Sequence, residues 1–202
     1  MSSAFNPQEQ VLNVDAKLVY ALERVSQIYR TLLWQTQVET GLSPIQSQIL
    51  IFMLFHDDKL LSISAFALEF SVTKATISDA FKTLEKKGLV RKEKDIVDKR
   101  RQILKLTKEG IVLAEKIKSY TEPLDAILKE FPSETKLTLF STLSDILKAL
   151  NNKNLLAPLR MCTSCHYFQL KEGKAYCNLL ETPLKDEEIR LDCPEYESRK
   201  TV

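Results

Sequence analysis

Four cysteines stand near the C-terminal end of the sequence, spaced Cys162-x2-Cys165, eleven residues to Cys177, then fifteen to Cys193, which Pro194 follows. Thiolates are soft ligands. A C-x-x-C turn presents two of them to one ion, and two later cysteines complete a tetrahedron. The spacing predicts a metal-binding module with Cys162, Cys165, Cys177 and Cys193 as its ligands. Zinc is the expected cofactor. An iron–sulfur cluster is the alternative, because a cysteine before proline is common among cluster ligands. A metal-free thiol–disulfide switch is a third reading. CTSCH at 162–166 also fits the c-type haem attachment pattern, but two further cysteines follow and the N-terminus MSSAFNPQEQ has no secretory character. His166 reads as a surface residue beside the ligands, with a site of three cysteines and one histidine as the variant.

A second kind of chemistry lies upstream. Residues 71–110 carry twelve lysines and arginines against six acids, a net +6 in a chain whose net charge is +2. Basic charge gathered on one unit is the footprint of a phosphate-binding surface. Within it, Thr73, Lys74, Thr76, Ser78, Asp79 and Lys82 alternate with apolar Ile77, Ala80, Phe81 and Leu84. Such a helix can enter a major groove without carrying apolar bulk into it, its hydroxyls meeting phosphates or base edges and its lysines phosphates or guanine. Asp79 is the misfit on that face, unless it accepts from cytosine or pairs with a lysine. Beyond Gly88, Leu89–Glu93 and Ile103–Thr107 alternate as strands around the turn Asp95–Arg101. Its cations Lys99, Arg100 and Arg101 suit a minor groove, with Asp98 placed to aim the Arg100 guanidinium. Double-stranded DNA is the expected partner. A solvated face rich in lysine is the bland alternative.

The remaining elements must position these groups. Periodicity predicts one amphipathic helix from about Leu12 to Thr40, stopped by Gly41, and a second capped by Ser43 with Pro44 at its first position. Ser62–Phe70 makes a third, and Thr73 opens the fourth. The run Lys108–Lys129 is helical with a division at Pro123. Ser133 begins a last helix through Leu150, and NNKN at 151–154 reads as a linker. His56 beside Asp57 reads as a helix-end cap, and Trp34, Phe52 and Phe55 as core packing rather than the lining of an effector pocket. The expected domains are residues 1–154 and a small module, 155–202. Only four glycines in 202 residues favour a helix-rich, mainly α chain, and two short helices joined by a tight turn, followed by a small β-hairpin, fit a helix-turn-helix with a hairpin wing. No apolar run approaches a membrane span of about 20 residues, and a cytoplasmic address is expected. Two histidines in unrelated elements and no Gly-rich phosphate loop argue against an enzyme.

The order LEKKGLV (84–90), DKRR (98–101), LKLTKEG (104–110) resembles the MarR family of winged-helix regulators over about residues 10–150. Asp98, Arg100, Leu104, Leu106, Thr107 and Gly110 fall on the family's wing pattern. The cysteine tail departs from it. The resemblance implies a homodimer, formed through the N-terminal helix and the helix at 133–150, on a pseudo-palindromic operator. It further implies a repressor released by a small-molecule effector or by oxidation. The long apolar stripes of those two helices point to a dimer independently. A redox or iron–sulfur sensor whose cluster state controls DNA binding is the alternative function.

Overall fold

A computed structural model describes residues 3–94, 102–153, 155 and 159–199. The wing-tip residues Asp98, Lys99, Arg100 and Arg101 lie outside the described residues, as does the Asp98–Arg100 pair. The fold is mainly helical, with a two-stranded and a three-stranded antiparallel sheet. No single helix among the described residues is long and apolar enough to cross a membrane. The compact units do not follow chain order. One comprises Met1–Phe55, Ala80–Glu93 and Leu104–Pro123, the other His56–Asp79, Lys94–Ile103 and Leu124–Val202.

In the first unit the expected Leu12–Thr40 helix is two helices, α1 (Pro7–Leu12) and α2 (Val14–Thr40). Asn13 divides them because its side-chain oxygen takes the Asp15 N–H at 2.8 Å, which starts a new helix rather than continuing the old one. Gly41 stops α2 at φ 67, its N–H donating to the Gln37 carbonyl. Lys87 then places its ammonium on the Gly41 carbonyl at 2.8 Å, a cation at a helix C-terminus. Pro44 opens α3 (Pro44–Phe55), and the Gln46 side chain accepts from the Ser43 N–H at 3.0 Å. Leu33, Leu42, Ile49, Leu50, Phe52, Met53, Ala114 and Ile117 form the buried set. Ser47, fully buried among them, shares a hydrogen bond with the Thr36 hydroxyl. Trp34 and Phe55 do not join this core. They are 60% and 62% exposed: Trp34 stands on α2, whose 27 residues offer more apolar surface than α3 and α6 (Lys108–Ile117) cover, and Phe55 is the last residue of α3.

The wing strands β1 (Val90–Lys94) and β2 (Gln102–Leu106) lie one residue from the expected spans. Thr107 welds β2 to α6. Its hydroxyl accepts from the Gly110 N–H at 3.0 Å and donates to the Gly88 carbonyl at 2.7 Å, while its own N–H donates to Leu89. The approach is so close that a Cβ on Gly110 would stand 1.9 Å from the Leu89 oxygen. The Thr-x-x-Gly spacing is thus a packing requirement. A 3-10 turn, Lys118–Thr121, follows α6. Pro123 then falls in the first turn of α7 (Glu122–Lys129), where its missing N–H has no partner to lose.

In the second unit Ser62 caps α4 (Ile63–Glu69) through the Ala65 N–H. The helix ends with Ser71 at φ 51, and the N–H groups of Ser71 and Val72 turn back to Leu68 and Ala67. This is a Schellman closure with serine at the position glycine usually fills. Helix α8 (Ser133–Asn152) is longer than expected: Asn151 and Asn152 complete its last turn instead of opening a linker. The tail contains a sheet that periodicity did not reveal. Strands β3 (Phe168–Lys171) and β4 (Lys174–Cys177) form a hairpin whose two turn residues, Glu172 and Gly173, both have positive φ, and β5 (Thr182–Pro183) pairs with β4.

Candidate functional site

Helix α5 (Lys74–Lys86) is the element on which the predicted DNA contacts sit. Thr73 caps it, its hydroxyl accepting from the Thr76 N–H at 3.1 Å and sharing a 2.9 Å hydrogen bond with the Thr76 hydroxyl. The burial alternates as the sequence predicts. Ile77, Ala80, Phe81 and Leu84 are buried, and Thr73, Lys74, Thr76, Asp79 and Lys82 are exposed, with Ser78 half-buried. Lys74, Ser78 and Lys82 recur at four-residue steps and so share one stripe. Asp79 shares the exposed side. Gly88 closes the helix at φ 70, with its N–H on Glu85 and the Leu89 N–H on Leu84.

The wing continues the basic surface. Arg91 and Lys92 are both exposed on β1. Arg91 pairs with Glu93 at 2.6 Å. Lys92 reaches Glu85 at 3.2 Å and stands 5.5 Å from the Phe81 ring centre. Acids thus hold the cations nearest the helix.

The four cysteines lie on three segments of the tail: the 3-10 turn Cys162–Ser164 and Cys165 just after it, the end of β4, and the loop at Cys193. All are free thiols, and all line one cavity of about 540 Å³ with Tyr167, Phe168, Leu179 and Leu180. The Cys165 N–H donates to Cys162, tightening the C-x-x-C turn. The Arg190 N–H points at the Cys162 sulfur at 3.3 Å, and the Cys162 N–H returns a bond to the Arg190 carbonyl. Burial pushes the Cys162 thiol above its ordinary range. The Arg190 amide opposes that shift, while Cys193, Cys165 and Cys177 add to it. Among the described residues no three His, Cys, Asp or Glu side chains stand close enough together to hold a metal ion. His166 is exposed, its ring edge-on to Tyr167.

One cluster is not visible from sequence spacing. Arg160 grips Asp192 with two hydrogen bonds, of 2.8 and 2.9 Å, and reaches Glu69, the last residue of α4, at 2.7 Å. His56 Nε2 also meets Asp192, a carboxylate far along the chain, at 2.8 Å. Burial acts to lower the Arg160 pKa, but its bonds to Asp192 and Glu69 raise it further above an already high value. Burial raises that of Asp192, and Arg160 and His56 more than offset it, leaving the carboxyl below its ordinary range. The only local signal is position: Arg160 lies two residues before Cys162, and Asp192 directly before Cys193.

A short α4, a tight turn, an amphipathic α5 and a two-stranded wing define a winged helix-turn-helix protein. Residues 40–101 match the model of the MarR family. The transcriptional regulator HosA of Escherichia coli O157:H7 is 43% identical over 60 residues, 29% of this chain. The match spans 42% of HosA's own length. Among solved structures, Staphylococcus aureus MepR in complex with DNA superposes with a TM-score of 0.57 at 23% identity, covering 65% of this chain and 97% of that one. MepR described as a transcription regulator of the multidrug efflux pump MepA gives 0.51 at 22% identity, covering 65% and 97%. These two likenesses establish the fold.

Proposed function

We propose that the chain is a sequence-specific DNA-binding transcriptional regulator, a repressor acting as a homodimer on a pseudo-palindromic operator in the cytoplasm. The exposed stripe Lys74–Ser78–Lys82 on a helix anchored by Ile77, Phe81 and Leu84 carries this reading. Thr73, Thr76, Asp79, Arg100 and Arg101 complete the proposed contact set, with Lys99 adding phosphate attraction and Asp98 proposed to aim Arg100. HosA is named a transcriptional regulator, and MepR has been solved on DNA. Both support the reading.

The dimer is supported by apolar side chains left exposed on single helices. On α2 these include Leu18, Leu22, Val25, Ile28 and Trp34, and on α8 Leu137 and Ile146. Contiguous apolar surface of this kind is buried in a stable protein by a partner. Two-fold symmetry would space the two recognition helices roughly one DNA turn apart, about 34 Å. An effector site is supported by a cavity of about 480 Å³ lined by Leu32, Gln35, Thr36, Ile117 and Tyr120. That volume suits a small molecule.

Fluorescence anisotropy on a duplex from the protein's own promoter tests the reading. Replacing Lys74 and Lys82 together by alanine lowers affinity and reduces the salt slope by about two, one for each lost phosphate contact. Arg100→Ala weakens binding in the same way. Unchanged affinity and slope in both variants overturn the assignment of this face. Light scattering that finds a monomer at micromolar concentration overturns the dimer.

A further inference from the structure

The cysteine tail is the feature that DNA binding leaves unused. Between residues 159 and 199 only Met161 and Cys165 belong to the buried apolar set. Two buried side chains cannot hold three chain segments and a small sheet, and segments this small depend on a covalent or metal cross-link. The thiols are unpaired, so disulfides do not supply it. Four soft donors around one cavity are the ligand set for a tetrahedral d10 ion. The Arg190 N–H directed at the Cys162 sulfur is a bond that strengthens when the sulfur is a thiolate. Neutral thiols gain little from one another, whereas a soft cation would draw four thiolates together.

The same residues are wired to the helix-turn-helix. The Cys193 N–H donates to the Arg160 carbonyl at 2.9 Å, and Asp192 precedes Cys193. Drawing Cys162 and Cys193 toward one ion therefore sets both halves of the Arg160–Asp192 pair, and Arg160 holds Glu69 at the end of α4. From Glu69 the chain runs directly through Ser71 into the recognition helix.

We propose that Cys162, Cys165, Cys177 and Cys193 bind one zinc ion as a tetrathiolate, and that its occupancy is read by the helix-turn-helix through Arg160 and Asp192. Each ligand gives its proton to solvent on binding, so up to four protons leave per ion. The second half of the proposal rests on the DNA-binding reading; the first does not.

The test uses the full-length protein. Elemental analysis after dialysis finds one zinc per chain, and Cys177→Ser loses it. Cobalt(II) added to the stripped protein gives the visible absorption of a thiolate-bound tetrahedral ion, a readout that needs no variant to fold. A brown protein carrying iron and sulfide after anaerobic purification overturns zinc in favour of a cluster. Four thiols that react freely with and without added zinc overturn the site altogether. For the coupling, promoter-duplex affinity drops about tenfold on stripping, and Arg160→Met keeps its zinc but loses that difference. Equal affinity of loaded and stripped wild-type protein overturns the coupling. Zinc bound at one equivalent with no DNA binding in either state overturns the proposed function and leaves the metal site standing.

Discussion

Between Leu42 and Ile117 the chain buries Ile49, Leu50, Phe66, Ile77, Phe81, Leu84 and Val90 almost completely. Between Leu159 and Arg199 it buries Met161 and Cys165, and relies otherwise on backbone hydrogen bonds, an arginine clamp and a ring of thiols. The winged helix is thus held by apolar area removed from water, which acts without direction and tolerates changes at its surface. The tail is held by a few directional bonds, each of which depends on its neighbours. A single lost contact should be felt differently in the two regions.

Substitutions ordered by expected size put this contrast at risk. Phe81→Ala empties a site that is 1% exposed and should cost about 3–5 kcal/mol in urea unfolding; a cost below about 1 kcal/mol would mean that α5 is not anchored by its apolar side. Gly110→Ala should cost about 3 kcal/mol, because its Cβ meets backbone at Leu89 rather than a movable side chain. Gly88→Ala, with open space around it and a positive φ, should cost only about 1 kcal/mol. Equal losses at the two glycines would remove the close-approach account of the β2–α6 junction. Arg160→Met should destabilise the tail by about 1–2 kcal/mol, since its side chain is 15% exposed but Asp192 is partly solvated. Faster amide exchange confined to residues near 56, 69 and 192 would report that loss. Ser71→Gly should stabilise by about 0.5–1 kcal/mol by relieving a left-handed serine, visible as a small rise in Tm. No rise would show that the turn is not strained there.

Much of the winged helix was legible because its signals are local. Thr73 as cap, Gly41 and Gly88 as stops, Pro44 as a first helical residue and the spacing of Ile77, Phe81 and Leu84 are each read within a turn or two of helix. Asn13 was the local signal overlooked: an asparagine inside an apolar period competes for the backbone and restarts the helix. The tail resisted the same treatment. Its strands span two to four residues, too few for a period to register, and its hairpin rests on two positive φ values at Glu172 and Gly173.

The grouping of basic charge on residues 71–110 and the chemistry of four thiols follow from residue type alone, since charge and softness belong to side chains wherever they fold. That His56 and Glu69 meet Asp192 and Arg160, and that Trp34 faces outward rather than into the core, was decided only by the tertiary structure. Contacts between residues about a hundred positions apart leave no periodicity in the chain. Which apolar residues stay uncovered depends on how much surface the neighbouring elements supply.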